Sequence, residues 1–369
     1  MISRQNALGK IWDGSYQSGA LLPFFILLFV LALPYRALVG VRNLLYDSGI
    51  LKSKKLSRQV ISIGNIAVGG TGKTPTAMML ARMLKEENYK PAILSRGYGR
   101  KHGKGVQIVS DGRNLLKKHH EAGDEPFLMA GMLSEIPVIV GSRRYVTGRM
   151  AIDELGADIL ILDDGFQHRR LHRDLDILLL NNARPLGNGC LLPAGSLREP
   201  VTALKRADII LLTGSSPEEN RRGESPPPLE PFLRGFPNLF YSYHKPLTIV
   251  SGKEELLPLD WLKGKNIYAF AGIGTPQSFR RTIENLGVCL TGFFTFPDHH
   301  VFTAEDIVAI RKEAEDLQAT IILTTEKDGV RLRDFPDFLK EVFLLRIEMT
   351  IIDQGDDFRR LIMQKLAAS

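Results

Sequence analysis

Residues 60–75 read Val-Ile-Ser-Ile-Gly-Asn-Ile-Ala-Val-Gly-Gly-Thr-Gly-Lys-Thr-Pro. An apolar strand feeds a glycine-rich turn and Lys73-Thr74 opens a helix, the context that marks a phosphate-binding loop. Gly69, Gly70, Thr71 and Gly72 let successive backbone N–H groups converge on phosphate oxygens. Lys73 then reaches the β- and γ-phosphates, and Thr74 offers its hydroxyl to Mg²⁺. The generic signature places its first glycine at position 67, where this chain has Ala67. A glycine turn that merely packs a helix on a strand is the alternative. Asp158-Ile-Leu-Ile-Leu-Asp163-Asp164 supplies the expected partner, an apolar strand ending in two carboxylates. Asp163 suits the Mg²⁺ shell and Asp164 the orientation of a neighbour, although a strand-ending Asp also caps turns.

Further clusters are dense in functional side chains: Ser95-Arg-Gly-Tyr-Gly-Arg100, Gly123-Asp-Glu-Pro126, Gly165-Phe-Gln-His-Arg-Arg170, Leu192-Pro-Ala-Gly-Ser-Leu-Arg-Glu-Pro200 and Phe296-Pro-Asp-His-His300. Asp124 precedes an expected helix, where it serves either as a general base or as a helix cap. An isolated Asp-His such as Asp298-His299 is more often a surface or capping pair.

Short apolar runs at 60–63, 92–94, 138–140, 159–162, 177–180 and 209–212 alternate with helix-length segments, the first near 74–87. This is the pattern of a parallel sheet covered on both faces by helices. Residues 214–235 are rich in Pro, Ser, Gly and charge and read as a boundary. Beyond them apolar runs at 247–250, 267–270, 288–294, 320–323 and 342–345 alternate with helical stretches at 277–286 and 303–317. The expected organisation is an N-terminal anchoring region (1–50), a core (51–213), a linker (214–245) and a smaller α/β domain (246–369). The helical tail at 358–368 docks on either domain.

The chain has 369 residues, 44% of them hydrophobic, and two cysteines without a CxxC. That excludes a disordered chain, a polytopic membrane protein and a disulfide scaffold. The net charge of +7 is local: eight basic and two acidic residues fall in 1–60, so six of the seven charges lie there. The same stretch carries the apolar run 20–33. Pro23 and Pro34 leave ten residues between them, about 15 Å of helix against a hydrocarbon core of about 30 Å. The reading favoured is a monotopic anchor entering one leaflet, with Arg36, Arg42 and the basic residues of 52–58 at anionic headgroups. A spanning helix, a buried helix and a signal peptide are the alternatives. With the body near neutral, nucleic acid is not an expected partner.

The ordered set of motifs, from G-N-x-x-x-G-G-T-G-K-T-P through S-R-G-Y-G-R, G-D-E-P, D-D-G-F-Q-H-R and P-A-G-x-L-R-E-P to F-P-D-H-H, resembles the tetraacyldisaccharide 4′-kinase family of lipid A synthesis over nearly the whole chain. Ala67 fits that family's loop. The resemblance implies a two-domain P-loop NTPase-like α/β protein with its N-terminal helix on the cytoplasmic face of the bacterial inner membrane. It implies transfer of the γ-phosphoryl of ATP, with Mg²⁺, to the 4′-hydroxyl of a lipid disaccharide 1-phosphate, without an obligate protein partner. Asp124 is then the base and His299 its partner, with Lys73 and Asp164 also catalytic. Because Asp124 and His299 flank the linker, closure of two domains is expected to bring them together. Thr74, Asp163 and Glu125 are the Mg²⁺ candidates. Arg96, Arg144, Arg169 and Arg198 suit an anionic acceptor, and Tyr98, His168 and Glu199 suit its hydroxyls. Arg198 or Glu199 equally suits a structural ion pair. The rival function is a membrane-associated nucleotide switch or ATPase acting through a protein partner. No guanine-reading N-K-x-D occurs, and Thr324-Thr-Glu-Lys-Asp328 has only a superficial likeness to one.

Overall fold

The computed structural model describes residues 7–12, 14, 21–98, 100, 105–215, 229–234 and 236–368. Residue contacts group the chain into two compact units, Met1–Arg96 with Gly141–Tyr243 and Thr350–Ser369, and Gly97–Val140 with His244–Met349. These are not the contiguous stretches expected at 51–213 and 246–369. Helix Asp124–Met132 packs on helix Glu326–Arg331, which carries its segment into the second unit. The last helix, Gly355–Ala368, buries Phe358, Ile362 and Leu366 in the first unit, with Phe358 edge-on to Phe240. Of the expected linker, residues 216–228 and 235 lie outside the described residues, and its end is strand rather than linker. Leu239–Val250 is one strand whose first residues pair in parallel with Ile209–Thr213.

In the first unit the strands run in the order Leu239–Val250, Ile209–Thr213, Leu175–Asn181, Gln59–Asn65, Ile159–Asp163 and Pro91–Ser95, all parallel. Ile159–Asp163, Ile209–Thr213 and Pro91–Ser95 are buried along their whole length, which is why they read as unbroken apolar runs. The registers Ile63↔Asp163, Asn65↔Leu179 and Asn181↔Thr213 align the polar strand ends along one edge. Ligands bind at that carboxyl edge in sheets of this kind. Helix Lys73–Glu86 buries Ala77, Leu80, Ala81 and Leu84, spaced to cover the sheet with one face.

The apolar helix is Leu22–Asp47, 26 residues and about 39 Å long at 1.5 Å per residue, not the ten residues expected between the prolines. It is the one helix among the described residues long and apolar enough to cross a membrane. Pro34 lies inside it without ending it. An interior proline costs about 3 kcal/mol, and packing on both sides of it offsets that. Before it, Phe25, Leu28 and Ala32 pack with Ile11 and Ala194. After it, Tyr35 Oη donates to the Arg198 carbonyl at 2.9 Å and Asn43 Nδ2 to Glu199 at 2.8 Å. Arg42 donates to the Gln167 carbonyl at 2.7 Å and Arg169 to Asp47 at 2.6 Å, a cation at a helix C-terminus. The opposite face leaves Leu27, Leu31, Leu38 and Val41 exposed.

The second unit orders Cys289–Thr295, Asn266–Ala271, Ile321–Thr325 and Val342–Ile351 in parallel. Gln107–Ser110 and Val138–Val140 pair antiparallel beneath helix Asp124–Met132. Helix Ala304–Asp316 starts at a Thr303–Asp306 capping box.

Candidate active-site residues

In the first unit the loop after Gln59–Asn65 is fastened from three directions. Asn65 Nδ2 donates to Thr71 Oγ1 at 2.9 Å, and Thr213 Oγ1 donates to the Thr71 carbonyl at 3.0 Å. Val68 N donates to the Ser196 carbonyl at 2.8 Å and Arg198 N to that of Ile66 at 2.7 Å. Ala67 bridges Leu197 and packs in the apolar cluster, so a small apolar side chain belongs at this position. Gly72 takes a left-handed φ of 76° as the residue before the helix, a conformation glycine adopts without strain. Lys73 Nζ lies 3.7 Å from Asp164, and Arg198 Nη1 lies 3.1 Å from each Asp164 oxygen. Burial pushes the Asp164 carboxyl up, but Lys73, Arg198 and Arg144 outweigh it and hold it below the usual range. Asp164 itself has φ 53°, a strained setting for a non-glycine residue. Asp163 is buried and accepts from Ser95 Oγ at 3.2 Å. His168 is pushed down to about 4 by burial and by the charges of Arg144, Arg173, Arg170 and Arg96, so it is neutral at pH 7.

The second unit holds the other group. Asp124 opens helix Asp124–Met132, and Gly123 before it has φ 88°, where a Cβ would stand 2.6 Å from the Tyr98 carbonyl oxygen. His299 Nδ1 lies 3.5 Å from Asp124 Oδ2, and the Tyr98 ring packs on the imidazole at 5.5 Å. His299 has φ 59°, a second non-glycine residue in the left-handed region. Asp124 and His299 therefore meet inside one unit, and no domain closure is needed to pair them. Burial raises the Asp124 carboxyl, while the His299 hydrogen bond and the charges of Arg331, His299 and Lys327 bring it below its ordinary value. Lys327 Nζ lies 2.9 Å from Glu125 and 3.4 Å from Asp298. Arg331 Nε lies 3.3 Å from Asp124 Oδ2.

The expected substrate residues divide. Arg96, Tyr98 (71% exposed), His168 and Arg198 keep surface open to solvent. Arg144 is buried and donates to the Gly141 and Asp163 carbonyls. Arg169 is engaged with Asp47, the Asn43 carbonyl and the Tyr46 ring. Glu199 is fully buried between Asn43 and Arg206, the structural ion pair held open by the sequence. Glu125 faces the Lys327 ammonium where a cation was expected. Among the described residues no cluster of three or more His, Cys, Asp or Glu is gathered for a metal. Sequence reasoning passed over Asn65, Thr213, Lys327 and Arg331. The signal for the last two was Thr325 capping a short helix, which sets Lys327 and Arg331 four residues apart on one face.

A family model for tetraacyldisaccharide-1-P 4′-kinase matches residues 24–367. The tetraacyldisaccharide 4′-kinase of Syntrophus aciditrophicus is 43% identical over 367 residues, 97% of each chain. That of Pelobacter propionicus is 39% identical over 342 residues, 92% of each. A solved structure of LpxK from Aquifex aeolicus in complex with ATP matches with TM-score 0.71 and 38% identity, covering 94% of this chain and 98% of that one.

Proposed function

The chain belongs to the tetraacyldisaccharide-1-P 4′-kinase family, a kinase family of lipid A biosynthesis, and on that premise we propose how its residues perform the transfer. The donor is ATP and the acceptor is the 4′-hydroxyl of a tetraacyldisaccharide 1-phosphate. The backbone N–H groups of residues 69–74 and Lys73 hold the phosphates. Lys73 exchanges Asp164 for the γ-phosphate as nucleotide enters.

A sugar hydroxyl is a weak nucleophile and needs a base within hydrogen-bond reach. Asp124 is that base, and its partnership with His299 is the observation that carries the reading. Asp124 takes the proton of the 4′-hydroxyl as the oxygen–phosphorus bond forms. The bond from γ-phosphorus to the bridging oxygen breaks, and ADP leaves with that electron pair. His299 orients the Asp124 carboxylate and shares the proton.

The Thr74 hydroxyl and Asp163 carboxylate are hard oxygen donors, which suit Mg²⁺. The ion supplies charge neutralisation at the phosphates when bound. Arg96, neutral His168 and Arg198 suit the acceptor's phosphate and hydroxyls. Lying along the cytoplasmic face of the inner membrane, the apolar helix keeps one stripe on the protein and its exposed leucines in the leaflet. Contacts at Phe25, Leu28, Ala32, Tyr35, Val39, Arg42, Asn43 and Tyr46 support this over a crossing, because they leave no free length to span. Asp124→Asn tests the base. We expect kcat to fall by at least ~10²-fold with ATP affinity unchanged, and turnover within a factor of two refutes the assignment.

A further inference from the structure

We propose that Arg331 is a positioning residue for phosphoryl transfer: its guanidinium holds the Asp124 carboxyl group turned toward His299. The proposal rests on Asp124 being the base.

Arg331 is 6% exposed, and its fork is fixed on other sides by groups that cannot move independently. Nη1 donates to the His300 carbonyl at 3.1 Å and Nη2 to that of Gly272 at 2.9 Å. Nη2 also pairs with fully buried Asp328 at 3.1 Å, whose Oδ1 accepts from Gly272 N at 3.1 Å. The Phe302 ring lies 6.0 Å from the guanidinium carbon. With both Nη atoms occupied, Nε is left at 3.3 Å from the same oxygen, Oδ2, that His299 Nδ1 approaches at 3.5 Å. Both groups thus face one carboxylate oxygen as ion-pair contacts, which directs that oxygen away from the substrate side in the proposed reaction.

The Nη1 contact is to the residue next to His299, so Arg331 ties the base and its partner's backbone together. That backbone is in the left-handed region at His299, a setting that persists only when its surroundings hold it. The charged groups facing Asp124 are His299, Arg331 and Lys327. Lys327 is committed to Glu125 and Asp298, which leaves Arg331 as the closest permanent cation. The imidazole of His300 is turned away to Asp306 at 2.8 Å.

The test is the kcat and both KM values of the full-length enzyme in detergent with ATP, Mg²⁺ and tetraacyldisaccharide 1-phosphate. In Arg331→Gln kcat is expected to fall about tenfold with both KM values within about twofold. Arg331→Lys keeps the charge but not the fork and should lose less, about threefold in kcat. A kcat within about twofold of wild type in Arg331→Gln, or a loss that lies in KM instead, overturns the proposal. Should Arg331→Gln not fold, Arg331→Lys in an Asp124→Asn background decides instead. With no carboxylate left to position, the Lys change should leave the residual kcat within about 1.5-fold, and the same threefold loss there means Arg331 acts elsewhere. If wild-type enzyme gives no acceptor-dependent product, the functional reading itself fails. If wild type is active, Asp124→Asn is inactive and Arg331→Gln keeps its kcat, this inference alone fails.

Discussion

Lys73 and Asp124 are both held by opposite charge before any substrate arrives, and in the proposed mechanism each hold prepares a different step. Lys73 rests 3.7 Å from Asp164, whose own charge is shared with Arg198 at 3.1 Å. An incoming phosphate therefore meets a cation that is already desolvated and aimed. Lys73→Ala is expected to lower kcat by ~10³-fold or more, and single-turnover kinetics with labelled ATP check it. Asp124 sits below its ordinary value, so it is a carboxylate throughout the neutral range. Activity that depends on it is present at neutral pH and is lost only as pH falls through the lowered value. That Gly72-Lys73-Thr74 and Asp163-Asp164 stand together was legible from residue type and spacing. The pairing of Arg331 with Asp124 was not, because the two lie 207 positions apart and the Thr325 cap places Arg331 on its helix without indicating that partner.

At the scale of elements, the fully buried runs were legible as strands because they are unbroken, whereas the first half of Leu239–Val250 alternates in burial and was assigned to the linker. Gln107–Ser110 escaped notice: it has four residues, half of them partly exposed. The apolar helix was misjudged for a physical reason. Pro34 carries a stop signal locally, and contacts distant in sequence override it. Glu199 is the strongest of these, fully buried and shared by Asn43 of the helix and Arg206 at 2.9 Å. Removing one member of a buried ion pair strands the other charge. Glu199→Ala is expected to destabilise the protein by about 3 kcal/mol. Denaturant unfolding in detergent measures this, and a loss under about 0.5 kcal/mol contradicts the role.

For the whole molecule, the +7 charge resolves into an N-terminal feature, which we propose faces the membrane. Arg36, Lys52, Lys54, Lys55 and Arg58 are exposed, while Arg42 is spent on docking the helix. Leu27, Leu31 and Leu38 lie at spacings that share one helix face and are 55%, 52% and 72% exposed. Replacing all three by Gln is expected to reduce partition onto anionic vesicles at least ~100-fold, given ~1.5–3 kcal/mol per buried leucine. ATP binding should be unchanged. Cosedimentation reads the outcome, and partition within threefold of wild type contradicts the anchor. The grouping of the chain into units was not legible, because Gly97–Val140 joins residues after 244 through helix packing that no composition shift marks.

Incubating the full-length protein with γ-labelled ATP and Mg²⁺, with and without tetraacyldisaccharide 1-phosphate, separates a lipid kinase from a nucleotide switch. The expected result is label on the 4′ position of the lipid and little ATP consumption when the acceptor is omitted. Brisk ATP hydrolysis that ignores the acceptor, with no labelled lipid, contradicts the kinase reading and favours a nucleotide switch.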